Sequence, residues 1–318
     1  MNMNALRYFL EVAKCKSIRR ASERLHVAAS AISRQISALE HELGCTLLER
    51  RSDGVSLTEA GERLKTHGMK IDAQVQLVKS DIDQLRSLHR GTIKIGSVEG
   101  VTENFLPKTL TEFSARFPEV HFEVTVLSRD EVINALDRYE CDIGFVYDYI
   151  HHHAVEVLSN YQQPLHAFVP PDHALAHGER VTLAELLAFD HLLPDSSFGI
   201  NQLVTRTAKK AKAWVAPRMI SNQLHFLRNY AQLNGAVVFM PVQAVYSEVL
   251  QGTLVPVNLD CPAFDNRNLS LAARRSRSLS PAAVSFSNFA QEQFGTWQDL
   301  DLTAISAARS RWWTALQN

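Results

Sequence analysis

The sequence lacks the cysteine pairs, long apolar runs and catalytic motifs that mark several large classes of protein. Its four cysteines are scattered and form no CxxC pair, which argues against a zinc finger or a disulfide framework. No run of about 18 apolar residues occurs and no basic, apolar leader opens the chain, so we expect a cytoplasmic protein with no membrane partner. GxSxG, HExxH and P-loop motifs are also missing, and we therefore predict that the protein is not an enzyme.

Net charge is also nearly absent, at −1 for 318 residues, but it is unevenly distributed. Residues 1–90 contain 15 Lys and Arg against 11 Asp and Glu, a net charge of +4, while the remainder contains 18 against 23, a net charge of −5. This asymmetry favours a modest attraction of the N-terminal part to phosphate. The length predicts two or three structural units rather than one core.

Two short helices joined by a turn are predicted between residues 18 and 43. Short hydroxyls allow close approach to DNA, and a guanidinium can take two acceptors of guanine or bind a phosphate. We therefore predict a helix-turn-helix at about residues 18–37 that binds double-stranded DNA, and a helical hairpin with a solvated polar face remains an alternative. The second helix would bury Ile32, Ile36, Leu39 and Leu43 and would expose the DNA-contacting Ser30, Ser33, Arg34 and Ser37.

A small hairpin is predicted at residues 46–58, because a Ser52-Asp53-Gly54 turn signal separates two short apolar segments. Arg50 and Arg51 are candidates for contacts with phosphate or the minor groove, where negative potential is concentrated. Surface arginines that merely solvate a loop are the alternative.

A long helix should follow Thr58, which can cap it, and should end at Gly91. Apolar residues recur along this helix in a heptad pattern too narrow for a globular core, which predicts a homodimer through a coiled coil. A lone amphipathic helix docked on its own domain is the alternative. The seam residues are Leu64, Ile71, Val75, Val78, Ile82 and Leu85.

The segment from residue 27 to residue 64, VAASAISRQISALEHELGCTLLERRSDGVSLTEAGERL, resembles the N-terminal signature of LysR-type transcriptional regulators, and the resemblance covers the whole chain. It implies a modular α+β fold. A winged helix-turn-helix (1–58) and a coiled-coil linker helix (59–90) would precede a two-lobed α/β effector-binding domain, built like a periplasmic solute-binding protein (91–318).

The same resemblance implies partners: promoter DNA, other copies of the chain in a homodimer or homotetramer, and a small-molecule co-inducer rather than a resident cofactor. RNA polymerase is a candidate further partner. The sequence departs from the family at Ala28 and Ala29, where Ser and Gln are usual, and at Asp53, where Arg is common. We therefore do not carry over the family's interrupted palindrome, which starts with T and ends with A, as the DNA target in detail.

Strands alternate with helices after residue 91, which predicts a parallel sheet with ligands beyond the carboxyl ends of its strands. We predict lobe I from residues 91–161 and 267–297, lobe II from 162–266 and a C-terminal extension at 298–318, with the effector in the cleft between the lobes. Predicted strands lie at 92–96, 121–126, 141–147, 165–170, 191–194, 235–241 and 269–275, and predicted helices at 102–116, 130–138, 181–189, 200–213 and 281–294.

By resemblance, eleven residues would line this cleft, although the serines could instead cap helices and the phenylalanines could belong to the core. Helix N-termini facing a cleft suit anions, but Glu99 points to a cationic or hydrogen-bond-donating group on the effector, as in an amine. The eleven are Ser97, Glu99, Gly100, Thr102, Ser128, Phe145, Tyr147, Ser196, Ser197, Phe198 and Phe239.

Three consecutive histidines, His151–His153, are predicted to form a solvated hinge loop rather than a metal site, because adjacent residues cannot all face one ion. Peroxide sensing is also not expected, since residues 195–213 contain no cysteine. Two alternatives remain for the C-terminal part: a ligand-independent oligomerisation module, or a solute-binding or enzymatic domain fused to the helix-turn-helix. The role of the tail from Thr296, with Trp312 and Trp313, is left open beyond a helix or partner contact.

Overall fold

The structure is a computed structural model that describes residues 1–51, 54–85, 90–176, 179–275 and 279–315, with side chains omitted at 50–51, 79–81, 83–85, 301–302, 304 and 306–315. The chain divides into two compact units. The first comprises Met1–Ile82 with Arg138–Glu140, and the second comprises Asp83–Asp137 with Cys141–Asn318.

Three helices form the core of the first unit: α1 (Met3–Cys15), α2 (Ile18–Leu25) and α3 (Ala29–Leu43). The predicted apolar stripe of α3 is confirmed at three positions, since Ile32, Ile36 and Leu39 are at most 3% exposed. Leu43 was wrongly included, because it is 43% exposed. It is the last residue of α3 before the left-handed cap at Gly44, and so lies beyond the end of the core.

Polar side chains fix where these helices begin. The Ser17 hydroxyl accepts the N–H of Arg20 at the start of α2. The hydroxyl of Thr58 accepts the N–H of Gly61 and so caps the next helix. The α3 helix has no side-chain cap, because its N-cap residue is Ala28.

The predicted hairpin is present as β1 (Leu48–Arg51) and β2 (Gly54–Leu57), which pair antiparallel from Leu48 opposite Leu57 to Arg51 opposite Gly54. Glu40 on α3 holds the base of the hairpin, because its carboxylate accepts the N–H groups of Leu47 and Leu48. The predicted wing is therefore anchored to the helix that carries the candidate DNA contacts.

Helix α4 (Glu59–Leu85) is 27 residues long and packs its first turns on the core of the first unit. Gly61 allows this approach, since a Cβ there would lie 2.2 Å from the Leu47 carbonyl oxygen. Further along, the seam residues Val78 and Ile82 are 55% and 47% exposed. Gly91 is not the cap of this helix: it begins the next strand with φ near +143°, outside the left-handed helical cap region.

The second unit contains two five-stranded sheets. The first has the order β4-β3-β5-β14-β6, in which β3 is parallel to β4 and β5, and β14 is antiparallel to β5 and β6. We call the part built on this sheet lobe I. Its elements are β3 (Gly91–Ser97), α5 (Glu99–Thr102), α6 (Phe105–Arg116), β4 (Val120–Val126), α7 (Arg129–Asp137), β5 (Ile143–Tyr147), β6 (Val155–Gln162), β14 (Asn268–Arg274) and α12 (Pro281–Ala315).

The second sheet has the order β10-β9-β11-β7-β12, and we call the part built on it lobe II. Two further strands, β8 and β13, form a separate two-stranded parallel sheet. The elements of lobe II are β7 (Leu165–Val169), β8 (Val181–Thr182), α8 (Leu183–Leu186), β9 (His191–Pro194), α9 (Gly199–Lys210), β10 (Met219–Ser221), α10 (Leu224–Asn234), β11 (Val237–Pro241), α11 (Tyr246–Gln251), β12 (Val255–Pro256) and β13 (Leu259–Asp260).

The chain crosses between the lobes twice, from β6 to β7 and from β13 to β14. Residues 151–153 do not belong to either crossing, so the prediction of a hinge at His151–His153 was wrong. Their loop connects β5 to β6 within lobe I, and the N–H of His152 donates to the hydroxyl of Tyr149.

Three of the helices predicted after residue 91 required correction, and two helices, α10 and α11, were not predicted. The helix expected at 102–116 is divided into α5 and α6, and most of that expected at 181–189 is the short β8 and a single turn, α8. Helix α12 was expected to end at residue 294 but continues to Ala315; the side chains of Trp312 and Trp313 lie outside the described residues.

Candidate functional sites

The first candidate site is the polar face of α3. Ser30, Arg34 and Ser37 are exposed and Ser33 is half-buried, whereas Ile32 and Ile36 on the opposite side are buried. All four predicted contact residues therefore share the face of α3 that the core leaves free. A helix with small hydroxyl residues around one guanidinium has the dimensions and donors needed to enter the DNA major groove.

Arg34 differs from Arg19 and Arg24 of α2, whose side chains have carboxylate partners within the chain. Arg24 binds the Glu11 carboxylate at 3.2 Å, and Arg19 lies 3.4 Å from Glu23. Among the described residues, Arg34 makes no ion pair or hydrogen bond. Its donors are therefore available to acceptors on another molecule.

Two further candidates for DNA contacts lie in the wing, where the structure describes only their backbone. Arg50 and Arg51 end strand β1, next to the two-residue connection of the hairpin. Their side chains, and the whole of Asp53, lie outside the described residues. These contacts remain predictions.

The second candidate site is a cavity between the two lobes of the second unit. It encloses about 40 Å³, which is room for only a few water molecules, and its lining is mostly apolar. The lining residues are Val98, Glu99, Gly100, Leu127, Ser128, Arg129 and Tyr147, with Ser197, Phe198, Gly199, Ile200, Leu224, Pro241 and Arg267.

Six of the eleven sequence-predicted cleft residues lie at this cavity: Glu99, Gly100, Ser128, Tyr147, Ser197 and Phe198. The other five do not line it. Phe145 and Phe239 are fully buried within strands and pack on core aromatics, Phe105 and Phe264. Ser97 and Thr102 donate their hydroxyls to the carbonyls of Val98 and Glu99, and Ser196 is exposed away from the lining.

The two serines at the cavity have their donors committed elsewhere. Both the N–H and the hydroxyl of Ser128 donate to Glu131, which lowers the pKa of that carboxyl. Both the N–H and the hydroxyl of Ser197 donate to Asp195. These serines shape the entries to α7 and α9, and their donors are not free for a ligand.

Glu99 is also committed. Its Oε1 accepts the N–H of Leu224 at 2.8 Å and that of His225 at 3.2 Å, at the first turn of α10. A carboxylate is favourable at this position because the first N–H groups of a helix lack internal partners. The sequence-based hypothesis that Glu99 binds a cationic group of the effector therefore conflicts with the geometry, in which lobe II already satisfies this oxygen.

Two more contacts join the lobes beside Glu99. Arg228 of α10 is 7% exposed and donates to the Glu103 carboxylate of lobe I at 3.0 Å. The side-chain amide of Asn104 donates to the backbone carbonyl of Gln243 at 2.7 Å. Residues 99–104 thus hold one edge of lobe II through three separate contacts.

A buried polar chain runs along the first crossing. The Tyr147 hydroxyl donates to Oε1 of Gln163 at 2.5 Å, and the Gln243 amide donates to the same oxygen at 2.6 Å. Because Gln163 lies between β6 and β7, this oxygen links both lobes to the crossing. Changes in the angle between the lobes would have to rearrange these bonds.

Sequence reasoning missed Arg267, the most buried cation at the cavity. Its side chain is 3% exposed, and its Nε donates to Asp148 at 2.8 Å. The guanidinium carbon lies 5.0 Å from the centre of the Tyr147 ring, while Nη1 is buried with no hydrogen-bond partner. The only sequence signal is an arginine directly before an apolar strand, which is too common to be diagnostic.

The described residues supply neither a metal centre nor a membrane helix. No group of three or more His, Cys, Asp and Glu side chains in the described ranges is arranged to hold a metal ion. No helix in that part of the chain is both long and apolar enough to cross a bilayer. The cavity can bind a small ligand through shape and a few charged groups.

Two family models match the chain. The model described as "LysR substrate binding domain" matches residues 86–295, and that described as "Bacterial regulatory helix-turn-helix protein, lysR family" matches residues 3–62. A similar curated protein is the RuBisCO operon transcriptional regulator of Allochromatium vinosum, which is 27% identical over 91% of this chain and 95% of its own length.

Solved structures share the fold at lower identity. A full-length variant of OxyR from Pseudomonas aeruginosa superposes with a TM-score of 0.72 at 19% identity, over 92% of this chain and 94% of that one. Full-length CbnR in complex with its target DNA gives a TM-score of 0.65 at 21% identity, over 92% and 99%. Both likenesses extend across the N-terminal and the C-terminal unit.

Proposed function

The chain belongs to the LysR family of DNA-binding transcriptional regulators, and from that premise we propose which of its surfaces bind DNA, a second copy of the chain and a small effector. The boundaries we assign are 1–58 for the winged helix-turn-helix, 59–90 for the linker helix and 91–318 for the effector-binding domain. The observation that carries the proposal is the free polar face of α3, on which Arg34 is exposed and unpaired among the described residues.

DNA recognition is assigned to Ser30, Ser33, Arg34 and Ser37, with Arg50 and Arg51 contacting the backbone or minor groove from the wing. Arg34 is the strongest candidate for reading a base, because a guanidinium can bond both acceptors of guanine. Ala28 and Ala29 offer no amide at the start of α3. Sequence discrimination therefore rests on fewer side chains than the family usually provides.

Self-association is assigned to α4. Val78 and Ile82 are about half exposed, and Ile71 and Val75 border an apolar groove on the same helix. A second copy of the helix would cover this seam with side chains of the same spacing. We propose a homodimer through α4, and a homotetramer when effector domains also associate, since Phe226 and Leu233 of α10 are exposed apolar residues.

Effector control is assigned to the cavity between the lobes. The cavity encloses only about 40 Å³, so a larger molecule would require the lobes to separate. An effector that binds one lobe angle more tightly than the other shifts the population toward it. In an oligomer that shift would change the distance between the winged helix-turn-helix domains. This change would alter the transcription of an adjacent promoter. Such a regulator acts in the cytoplasm, with RNA polymerase as a further partner.

Binding-site selection with the full-length protein tests the proposal. DNA recovered from a random library should contain a two-fold symmetric site, and affinity for that site should change in the presence of a metabolite that raises the melting temperature of the protein. A selected site without symmetry would contradict the dimer. Ligands that raise the melting temperature without altering DNA affinity would favour a C-terminal domain that serves assembly alone.

A further inference from the structure

Helices α3 and α4 are both hydrogen-bonded to the same three residues, 46–48, at the base of the wing. From α3, Oε1 of Glu40 accepts the N–H of Leu47 at 2.7 Å and that of Leu48 at 3.2 Å. The backbone carbonyl of Glu40 also accepts the N–H of Cys45 at 3.1 Å. Glu40 therefore binds the chain that follows α3 through both its side chain and its backbone. We call residues 46–48 the connecting segment.

Helix α4 binds the connecting segment through its N-terminal cap. The N–H of Thr58 donates to the Leu47 carbonyl at 3.1 Å, and its hydroxyl donates to the Thr46 carbonyl at 2.7 Å. The same hydroxyl accepts the N–H of Gly61 at 3.0 Å, so the residue that caps α4 also holds this segment. Leu47 thus has its N–H bound by α3 and its carbonyl bound at the start of α4.

The packing at Leu47 further restricts movement of the two helices relative to each other. Its side chain is buried in the core of the first unit, against which Ala60 and Leu64 of α4 also pack. A Cβ at Gly61 would lie 2.2 Å from the Leu47 carbonyl oxygen, a distance that excludes every residue except glycine. The angle between α3 and α4 is therefore constrained by hydrogen bonds and by close packing on one peptide group.

This angle matters for a dimer that binds DNA through two copies of α3. Helix α4 is the proposed dimer contact, so its orientation relative to α3 determines the distance between the two recognition helices. That distance must match the spacing of the half-sites, and each inserted base pair moves a half-site by about 3.4 Å and rotates it by about 35°. A connection that bends freely tolerates such changes, whereas a rigid connection does not.

We propose that Glu40 and Thr58 are positioning residues that determine which half-site spacing the dimer accepts on DNA. Neither residue has to contact DNA in this role, because each acts through the backbone of the connecting segment. The inference rests on the proposed function, in which α3 binds DNA and α4 joins two copies of the chain. It adds specificity for the arrangement of two half-sites rather than for the bases within one.

The spacing selectivity of the full-length protein tests this role. Anisotropy titrations compare the selected two-fold site, the same site with one or two base pairs inserted between its half-sites, and a single half-site. Wild-type protein should lose about tenfold or more in affinity on each lengthened site. Glu40→Ala should reduce this discrimination to about threefold or less while its affinity for the single half-site stays unchanged.

Two control variants accompany Glu40→Ala. Glu40→Gln keeps a side-chain oxygen that can accept the same N–H groups, and should retain the wild-type discrimination. Glu42→Ala removes an equal charge from the same helix, at an exposed residue whose carboxylate pairs with the N-terminal amino group, and should also behave as wild type. Wild-type discrimination by Glu40→Ala would overturn the proposal. A loss of half-site affinity that accounts for its whole effect would also overturn it, because Glu40 would then only maintain the fold.

A second pair of variants tests the contact from α4. Thr58→Val removes the hydroxyl and keeps a β-branched side chain, so it should also reduce the discrimination between spacings. Thr58→Ser keeps the hydroxyl and should retain the discrimination. Equal discrimination by these two variants would remove Thr58 from the proposed role.

The wild-type result separates this inference from the function on which it rests. If wild-type protein binds all spacings with equal affinity, the dimer through α4 that reads two half-sites is wrong, and the inference fails with it. If wild-type protein discriminates and every variant discriminates equally well, the dimer stands and only the positioning role is wrong.

Discussion

Oε1 of Glu99 lies 2.8 Å from the backbone nitrogen of Leu224 and joins a residue that follows the first strand of lobe I to the first turn of α10 in lobe II. The sequence predicted that the Glu99 carboxylate would bind a ligand. In the structure this carboxylate of lobe I instead caps a helix of lobe II. The two lobes are thus joined beside the cavity by a contact within the chain itself, and an effector bound there as proposed would add to this contact or compete with it.

Glu99→Ala should loosen the lobes. The helix α10 would lose a cap that accepts two N–H groups, at a cost of about 1 kcal/mol in the free energy of unfolding of the effector-binding domain. Hydrogen exchange at the Leu224 and His225 amides should accelerate. Glu119→Gln, an exposed site between α6 and β4, is the control. Unchanged exchange at both amides would show that the contact does not hold the lobes in solution.

Arg34→Ala should weaken binding to the selected DNA site by about 1–3 kcal/mol if the guanidinium reads a guanine. The matched control is Arg63→Ala on α4, where the arginine is exposed and paired with Glu59. Anisotropy titrations on the selected site and on random DNA distinguish two roles. An equal loss on both DNAs would reassign Arg34 to phosphate, and no loss on either would remove α3 as the recognition helix.

Ile82→Glu should dissociate the proposed dimer, because it places a charge on the seam of α4, opposite its own copy. Gln76→Glu adds the same charge at an exposed residue off the seam, and should leave the dimer intact. Sedimentation velocity compares the two. A variant at Ile82 that remains dimeric would indicate that the exposed apolar residues of α4 are covered in some other way.

Strongly periodic elements were predictable from the sequence, and the contacts that decide the site were not. The α3 stripe and the alternation of strands and helices after Gly91 depend on local spacing, which the sequence displays directly. Helix α10 was missed because Arg228, 7% exposed, interrupts its apolar face. A charged residue at a buried position is explained only by its partners Glu103 and Glu248, which are distant in the chain.

The residues of the cavity between the lobes also show that local sequence patterns do not reveal contacts between distant parts of the chain. Glu99 and Tyr147 could be placed there because they lie at the carboxyl ends of parallel strands. Phe145 and Phe239 sit within strands, where the pleat directs their side chains into the cores. Arg267 and Asp148 are 119 residues apart, and only the antiparallel pairing of β14 with β5 brings them together. No local pattern could have revealed that pair.

Stability in mild acid should depend on His173, whose pKa is lowered by burial against a smaller raising effect of Asp172. Its Nδ1 accepts the N–H of Leu175, which requires the unprotonated nitrogen. Because the folded protein holds the proton less tightly than the unfolded chain, this contribution is complete above the unfolded value of 6.5 and declines as the pH falls below it.

The measurement is urea unfolding of the full chain between pH 5 and 8, a range that brackets the histidine titration. His173→Asn keeps an acceptor for the Leu175 N–H but cannot be protonated, so the decline of unfolding free energy on acidification should become shallower. Asp172→Asn removes the charge that favours protonation, which lowers the pKa of His173 further and should steepen the decline. A decline that is identical in all three proteins would show that His173 is solvated and titrates alike in the folded and unfolded states.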